Sequence, residues 1–379
     1  MKLLGLLACV LSGATCAVAE LPLISLDGFR DSAGHWRNIR DTNRFIQATA
    51  GQASYAPAQV REVVANILLF QRINGGWPKD YDMTAVLNAE QRATVMATRS
   101  REDTSFDNHN IHSQVEYLGR AVAAGGDATW RTACERGFDF MLAAQYPNGG
   151  FPQRFPNAKS YYAHITFNDG VMVGILEVLQ DAALGRPHFA WLDEVRRGKA
   201  REAVRRGVDC ILKCQIRVDG QLTGWCQQHD EKTFEARPAR TFELASICPQ
   251  DTTEAIRFLM RQDRPAPEVL QATDAAIAWL MRVQLTGLRT ERVKTEAVAF
   301  EKHTADFDVV VVKDDKAPPL WARYYEIGTG RPTFAGRDGV KKYSLAEIHP
   351  ERRTGMPWYG RWPAQLIERE YPAWRKRLP

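Results

Sequence analysis

Three acidic clusters recur along the chain: Phe106-Asp107-Asn108, Phe167-Asn168-Asp169 and Asp251-Thr252-Thr253-Glu254. Each stands just before a predicted helix. Asp and Asn are favoured helix N-caps, so any one cluster alone reads as a cap. Their recurrence changes the weighing, because equivalent helix ends of a repeating fold gather at one mouth. Carboxylates gathered there repel one another and need a counter-charge. Calcium, which prefers oxygen ligands from Asp and Glu, is a suitable one. Arginines recur as well: Arg237 and Arg240 in EARPARTFE, and Arg323, Arg331 and Arg337 in WARYYEIGTGRPTFAGRDG. Guanidinium groups pair with planar carboxylates through two hydrogen bonds. Carboxylates beside arginines suit a substrate that is itself a polymer of carboxylates, such as a uronic-acid chain. Its C5 proton is weakly acidic, because abstraction adds charge to an anion. A metal bridging enzyme and substrate carboxylates would stabilise the enolate-like transition state. Loss of the C5 proton with rupture of the C4–O bond is β-elimination.

Other side chains have less specific readings. Trp77, Phe151 and Trp225 lie beside the turns and could stack on sugar faces or plug the core. His109 and His112 are three apart beside Asp107, a spacing that suits one helix face. Zinc is not the expected metal. The chain has no H-E-x-x-H, nucleophile elbow, P-loop or dinucleotide fingerprint.

The elements that must position these groups come from a repeat. A helical stretch ends in Gln and an irregular turn follows: VVANILLFQRINGGWPKDYD with Gln71, GFDFMLAAQYPNGGFPQRFP with Gln145, and GVDCILKCQIRVDGQLTGWCQQ with Gln215. A weaker fourth copy is AIAWLMRVQLTGLR with Gln284, and the joins are 74, 70 and 69 residues apart. Second helices are predicted over residues 111–124, 171–182 and 252–260, from apolar residues at i, i+3 and i+4. Each helical hairpin cannot bury its apolar face alone, so neighbours must pack around a common axis. The expected fold is all-α, an (α/α) helical toroid with short strands and long functional loops. FDVVVVK (307–313) is β-branched and reads as a strand. Residues 321–362 form a long, Gly-, Arg- and Tyr-rich loop of the functional kind, and residues 363–374 a short closing helix.

The chain has 379 residues, 45% apolar and 25% charged, which excludes a disordered or low-complexity protein. Its 50 basic and 45 acidic residues give +5, too weak for a nucleic-acid footprint. Residues 1–19, with Lys2, an apolar run and Ala17-Val18-Ala19, read as a cleavable signal peptide without a lipid anchor. Residues 20–379 then form a single catalytic domain, secreted or periplasmic and expected to be a monomer. Of the five remaining cysteines, at least one stays free, and mostly buried structural thiols are expected.

Several stretches resemble the pectate lyases of polysaccharide lyase family 10: QRINGGWPKDYDM (71–83), Phe106-Asp107-Asn108, QYPNGGFPQRFPN (145–157), YAHITFNDGV (162–171), RPARTFELAS (237–246) and WARYYEIGTGRPTFAGRDG (321–339). The resemblance implies calcium-dependent cleavage of α-1,4-polygalacturonate by anti β-elimination. It implies Asp107 and Asp169 as calcium-site residues, with Glu243 a further candidate. Arg337 is implied as the base abstracting the C5 proton. Arg240, Arg323, Arg331, Asn108 and Trp77 are the expected substrate contacts. The chain departs from the family in His109-Asn110-Ile111-His112, where a Thr-rich run is usual, and in Gly170, which is expected to loosen its turn. Alternatives are a glycoside hydrolase with paired carboxylates on the same toroid, and an inactive pectin-binding protein.

Overall fold

The computed structural model describes residues 21–378. The predicted signal peptide lies outside the described residues. The helices are α1 (Arg30–Asn38), α2 (Val60–Phe70), α3 (Ala89–Ala97), α4 (His112–Ala123), α5 (Ala128–Ala144), α6 (Val171–Ala183), α7 (Glu194–Cys214), α8 (Pro249–Met260), α9 (Pro267–Arg282), α10 (Pro350–Gly355) and α11 (Tyr371–Arg375). Successive hairpins α4/α5, α6/α7 and α8/α9 pack side by side. Within the stack, α4, α6 and α8 touch one another, while α2, α5, α7 and α9 form a second, flanking row. This is the α/α toroid arrangement. The α6 helix is apolar on nearly every side because it is covered on nearly every side: Val171, Ile175, Leu176 and Leu179 are all fully buried.

The recurring glutamines are joints between neighbouring hairpins. Gln71 Nε2 donates to Gly75 O in its own turn (2.9 Å) and to Ala133 O of α5 (2.9 Å). Gln145 does the same with Gly149 O and Ala203 O (3.0 and 2.8 Å). Gln215 repeats it with Thr223 O and Ala272 O (2.8 and 2.9 Å). One amide thus satisfies a turn carbonyl and adds a second bond to a carbonyl of the next helix, which stitches the two together. A tryptophan ladder accompanies the joints. The indole of Trp77 donates to Ile67 O (2.8 Å), that of Trp225 to Ile211 O (2.7 Å) and that of Trp321 to Leu280 O (2.7 Å). Gly149 sits at φ +94°, and a Cβ there would meet Arg206 O at 2.0 Å, so the turn admits only glycine.

The fourth copy departs from the rule. Gln284 is exposed, and α9 has already ended at Arg282. A long antiparallel hairpin, Leu288–Ala299 paired with Thr304–Lys313, is inserted between α9 and Trp321. Its second strand contains the predicted one. Its first strand was not predicted, because LRTERVKTEA is polar on both faces and both faces are largely exposed. The closing segment is a wide π turn over Leu366–Glu370 followed by α11, tied to α8 by Arg257 and Glu370 (2.7 Å). All five cysteines from Cys134 onward are buried and free. No helix among the described residues is long and apolar enough to cross a membrane.

Candidate active site

Asp107 and Asp169 lie on the loops entering α4 and α6. Neither caps its helix: Ile111 and Gly170 occupy the N-cap positions without a side-chain bond. The two loops are joined by His109 N–H donating to Asp169 O (3.1 Å). The backbone here is unusual. Asp80, Asn108, His109, Ile111 and Asp169 all have positive φ, five of the eight non-glycine residues that do among the described residues. Such conformations cost energy and persist where the surroundings over-determine them.

The two carboxyl groups are close enough for each to act on the other's charge. Burial raises the Asp107 carboxyl, but the Lys79 ammonium outweighs it and holds the group far below the ordinary carboxylate range. Burial and then the Asp107 charge push Asp169 well above that range. One carboxylate and one carboxylic acid thus face each other, the usual outcome for two acids sharing a site. Lys79 Nζ bonds Asp107 Oδ2 and lies 3.5 Å from Asp80. Asp107 Oδ1 is buried with no hydrogen-bond partner. An orphaned hard oxygen beside a second carboxyl suits a calcium ion.

Two guanidiniums face this pair, their charges coupled to Asp107 through Arg240 and to Asp169 through Arg323. Arg323 lacks a carboxylate partner within ion-pair distance among the described residues. Its Nε donates to Tyr324 Oη (3.2 Å) and its Nη1 to Gln250 Oε1 (3.3 Å). A polar chain continues behind it. Tyr324 donates to Gln227 Oε1 (2.9 Å), Gln227 to Asn168 Oδ1 (2.6 Å), and Asn168 to Asp169 Oδ2 (2.6 Å). Asp251 sits in the first turn of α8, where its charge acts on Arg323 and not as a third member of the acidic pair.

Other expected contacts are placed differently. Glu243 is buried and takes Arg240 through both oxygens (2.7 and 2.5 Å), so it orients that guanidinium instead of joining the acidic pair. Trp77 is fully buried, a plug and not a sugar platform. Asn108 is 5% exposed, with its amide on Asp80 and its carbonyl accepting from Ser32 Oγ (3.0 Å), so it braces the loop. Arg331 is exposed and lies over the Tyr343 ring at 3.9 Å, without contact to the acidic pair. Arg337 donates to Glu351 (3.2 and 2.9 Å), and its guanidinium shares the Phe242 ring with those of Arg240 and Arg352.

Gly170 does not loosen its turn. It sits at φ +69°, and a Cβ there would lie 2.6 Å from His109 Nδ1. A Cβ at Gly174 would likewise lie 2.4 Å from the His112 ring. The two histidines and the two glycines are therefore one adaptation. Burial lowers His112 to about 3, so its imidazole is neutral where it packs against Gly174. Sequence reasoning passed over Lys79, Asp80 and the half-buried Tyr161, whose hydroxyl feels both Arg240 and Lys79. It also passed over α1, whose Asp31 pairs with His35 (3.2 Å) and adds its charge to the field on Asp169. Elsewhere, His164, Asp230 and Glu231 bring ligand atoms within 4.8 Å of one another. That group is already satisfied: His164 Nδ1 is 2.9 Å from Glu231, and Asp230 accepts from Lys232 N, Thr233 N and Arg237.

Residues 71–367 match the family model described as pectic acid lyase. The family 10 polysaccharide lyase from Cellvibrio cellulosa superposes with a TM-score of 0.69 at 26% identity, covering 92% of this chain and 98% of that one. An aspartate-to-alanine mutant of a family 10 polysaccharide lyase from the same organism, in complex with trigalacturonic acid, gives 0.72 at 27% identity, with 93% and 99% covered. No curated protein sequence matches the chain. The family model covers residues 71–367, most of the length, and on that ground the chain belongs to the pectic acid lyase family of polysaccharide lyases.

Proposed function

We propose that this polysaccharide lyase is a pectate lyase that cleaves α-1,4-polygalacturonate by calcium-assisted anti β-elimination. The observation that carries the reading is the Asp107–Asp169 pair, with its unpartnered buried oxygen, set against Lys79, Arg240 and Arg323. A similar protein is bound to trigalacturonic acid.

Asp107 and Asp169 would hold the ion, which when bound withdraws charge from the uronate carboxylate and acidifies its C5–H. Arg323, a cation without a carboxylate partner, receives a substrate carboxylate. The base must stand beside the acidic pair, because the acidified proton is there. The resemblance nominates Arg337, but the carboxylate it meets is Glu351, outside the acidic pair. Arg240 is coupled to Asp107 and is held in plane by Glu243, and we assign it the base role. Burial lowers the Arg240 pKa, but its bonds to Glu243 outweigh this and raise it. Arg240 must therefore first release a proton to water, and the neutral guanidine then takes the C5 proton as the C4–O bond breaks. The C5–H pair becomes the C4–C5 double bond, the C4–O bond breaks, and the leaving oxygen takes a proton from water. Export by residues 1–19 is part of the same reading.

The test is ultraviolet absorbance of the unsaturated product from polygalacturonate with calcium and with chelator. Rising absorbance that the chelator stops is expected. New reducing ends without absorbance would establish the hydrolase, and binding without new ends the inactive protein. Arg240→Ala is expected to lower kcat by about 10²–10⁴, while Arg337→Ala mainly raises KM. The reverse ranking returns the base to Arg337.

A further inference from the structure

Arg240 and Arg337 are each held by a carboxylate, but Arg323 is held by neutral acceptors, Tyr324 Oη (3.2 Å) and Gln250 Oε1 (3.3 Å). Where it points depends on those two groups. The first belongs to the polar chain behind it. Tyr324, Gln227 and Asn168, all buried, carry that chain through the interior to Asp169 Oδ2. Every bond has its donor on the Arg323 side. A guanidinium has donors alone, so the phenol oxygen accepts from it and gives its own proton to Gln227 Oε1. An ionised carboxylate has acceptors alone, which fixes the other end. One direction satisfies both ends, from cation to acid.

Gln227 is the joint of the chain. Its amide has an acceptor and a donor, and it uses the one for Tyr324 and the other for Asn168. Its backbone is fixed independently. The Gln227 carbonyl accepts from Phe167 N–H (2.8 Å) and Asn168 N–H (3.2 Å). Next to it, Cys226 N–H donates to His229 Nε2 (3.0 Å), and Gln228–His229 pairs with Ile165–Thr166. These backbone bonds hold the loop that carries Asp169 without help from the Gln227 side chain. What the side chain adds is a link between two charges. A hydrogen bond to an ionised group is stronger than one between neutral groups, and bonds in series polarise one another. With Asp169 ionised, the Asn168 bond strengthens and so, through Gln227, does the hold of Tyr324 on Arg323.

We propose that Gln227 is a positioning residue: through Asn168 and Tyr324 it couples an ionised, calcium-bearing Asp169 to the orientation in which Arg323 receives a substrate carboxylate. The coupling is reciprocal, so each ligand tightens the other by the same factor. The inference rests on the pectate lyase reading for the two ligands, but it is read from binding and needs no turnover.

The test uses Arg240→Ala as background, in which trigalacturonate is expected to stay uncut. Should it be cut, Arg337→Ala takes its place. Calcium affinity is measured by calorimetry with and without saturating trigalacturonate, and the ratio of the two affinities is the coupling. Gln227→Met and Tyr324→Phe should each lower that ratio at least about fivefold. The double variant should lower it no further than either alone, since both cut one chain. A ratio unchanged in Tyr324→Phe, which keeps the ring and its packing, overturns the proposal even where Gln227→Met fails to fold. Losses that multiply in the double variant overturn it as well, because independent packing faults add their energies. If trigalacturonate does not tighten calcium in the background protein itself, the shared site of the lyase reading fails and the coupling with it. A tightening that neither variant alters sinks the coupling alone.

Discussion

At the scale of single residues, the acidic pair depends on a lysine. Lys79 is the counter-charge that Asp107 meets, and burial lowers its pKa less than Asp107 and Asp80 raise it. A divalent ion and this ammonium would serve the same carboxylates. Lys79→Met should therefore lower the melting temperature without calcium, and calcium should then raise it by more than in the wild type. An unchanged calcium increment would show that Lys79 does not compete. Asp107 and Asp169 were legible as residues because the recurrence of acids before helices stood out against ordinary capping. Their mutual contact was not legible, since it depends on two left-handed loops joined through His109 N–H. Trp77 and Glu243 were misplaced for a related reason. Residue type does not say which way a side chain points, and here each points toward a partner in its own segment.

At the scale of elements, the glutamine joints should set stability. Gln215→Ala leaves Thr223 O without its donor in a buried setting and unties it from Ala272 of α9. It should cost roughly 1–3 kcal/mol, measured by denaturant unfolding. Gln145→Ala should cost less, because its side chain is only half-buried. A loss at Gln215 no larger than at Gln145 would remove the joint role. Helix α8 carries a second element-level property. Burial raises Asp251 to about 6, and burial with the Asp251 charge raises Glu254 to about 8. The unfolded chain releases the Glu254 proton near 4.5, whereas the folded chain keeps it until near 8. The folded state thus binds more protons across that window, and stability falls as pH climbs through it. Glu254→Gln should flatten this decline, so that the variant loses less melting temperature than the wild type between about pH 5 and about pH 8. Equal losses would place the titration elsewhere.

At the scale of the whole molecule, the acidic pair sits on loops between helices that are already packed. Chelation should therefore stop turnover while leaving the far-ultraviolet circular dichroism unchanged. A large loss of helical signal would make the ion structural instead. The toroid also explains how distant arginines converge. Arg240, Arg323 and Arg337 come from two irregular segments spread over some hundred positions, yet two of them face one pair of acids and the third shares an aromatic ring with one of those two.

By itself the sequence determined the repeat, the helical class and the positions of the acids and arginines. These follow from local periodicity and from turns that recur at nearly constant spacing. The Gln-then-turn signature survives because each copy meets the same need, a donor for two carbonyls. Only the tertiary structure decided which acid meets which, that Glu243 belongs to Arg240, and that the fourth repeat carries an inserted hairpin reaching Arg40. Those outcomes depend on loop direction and on contacts between residues up to 263 positions apart. No local pattern encodes them, because the energy that selects them comes from burying charges against partners brought in by the fold.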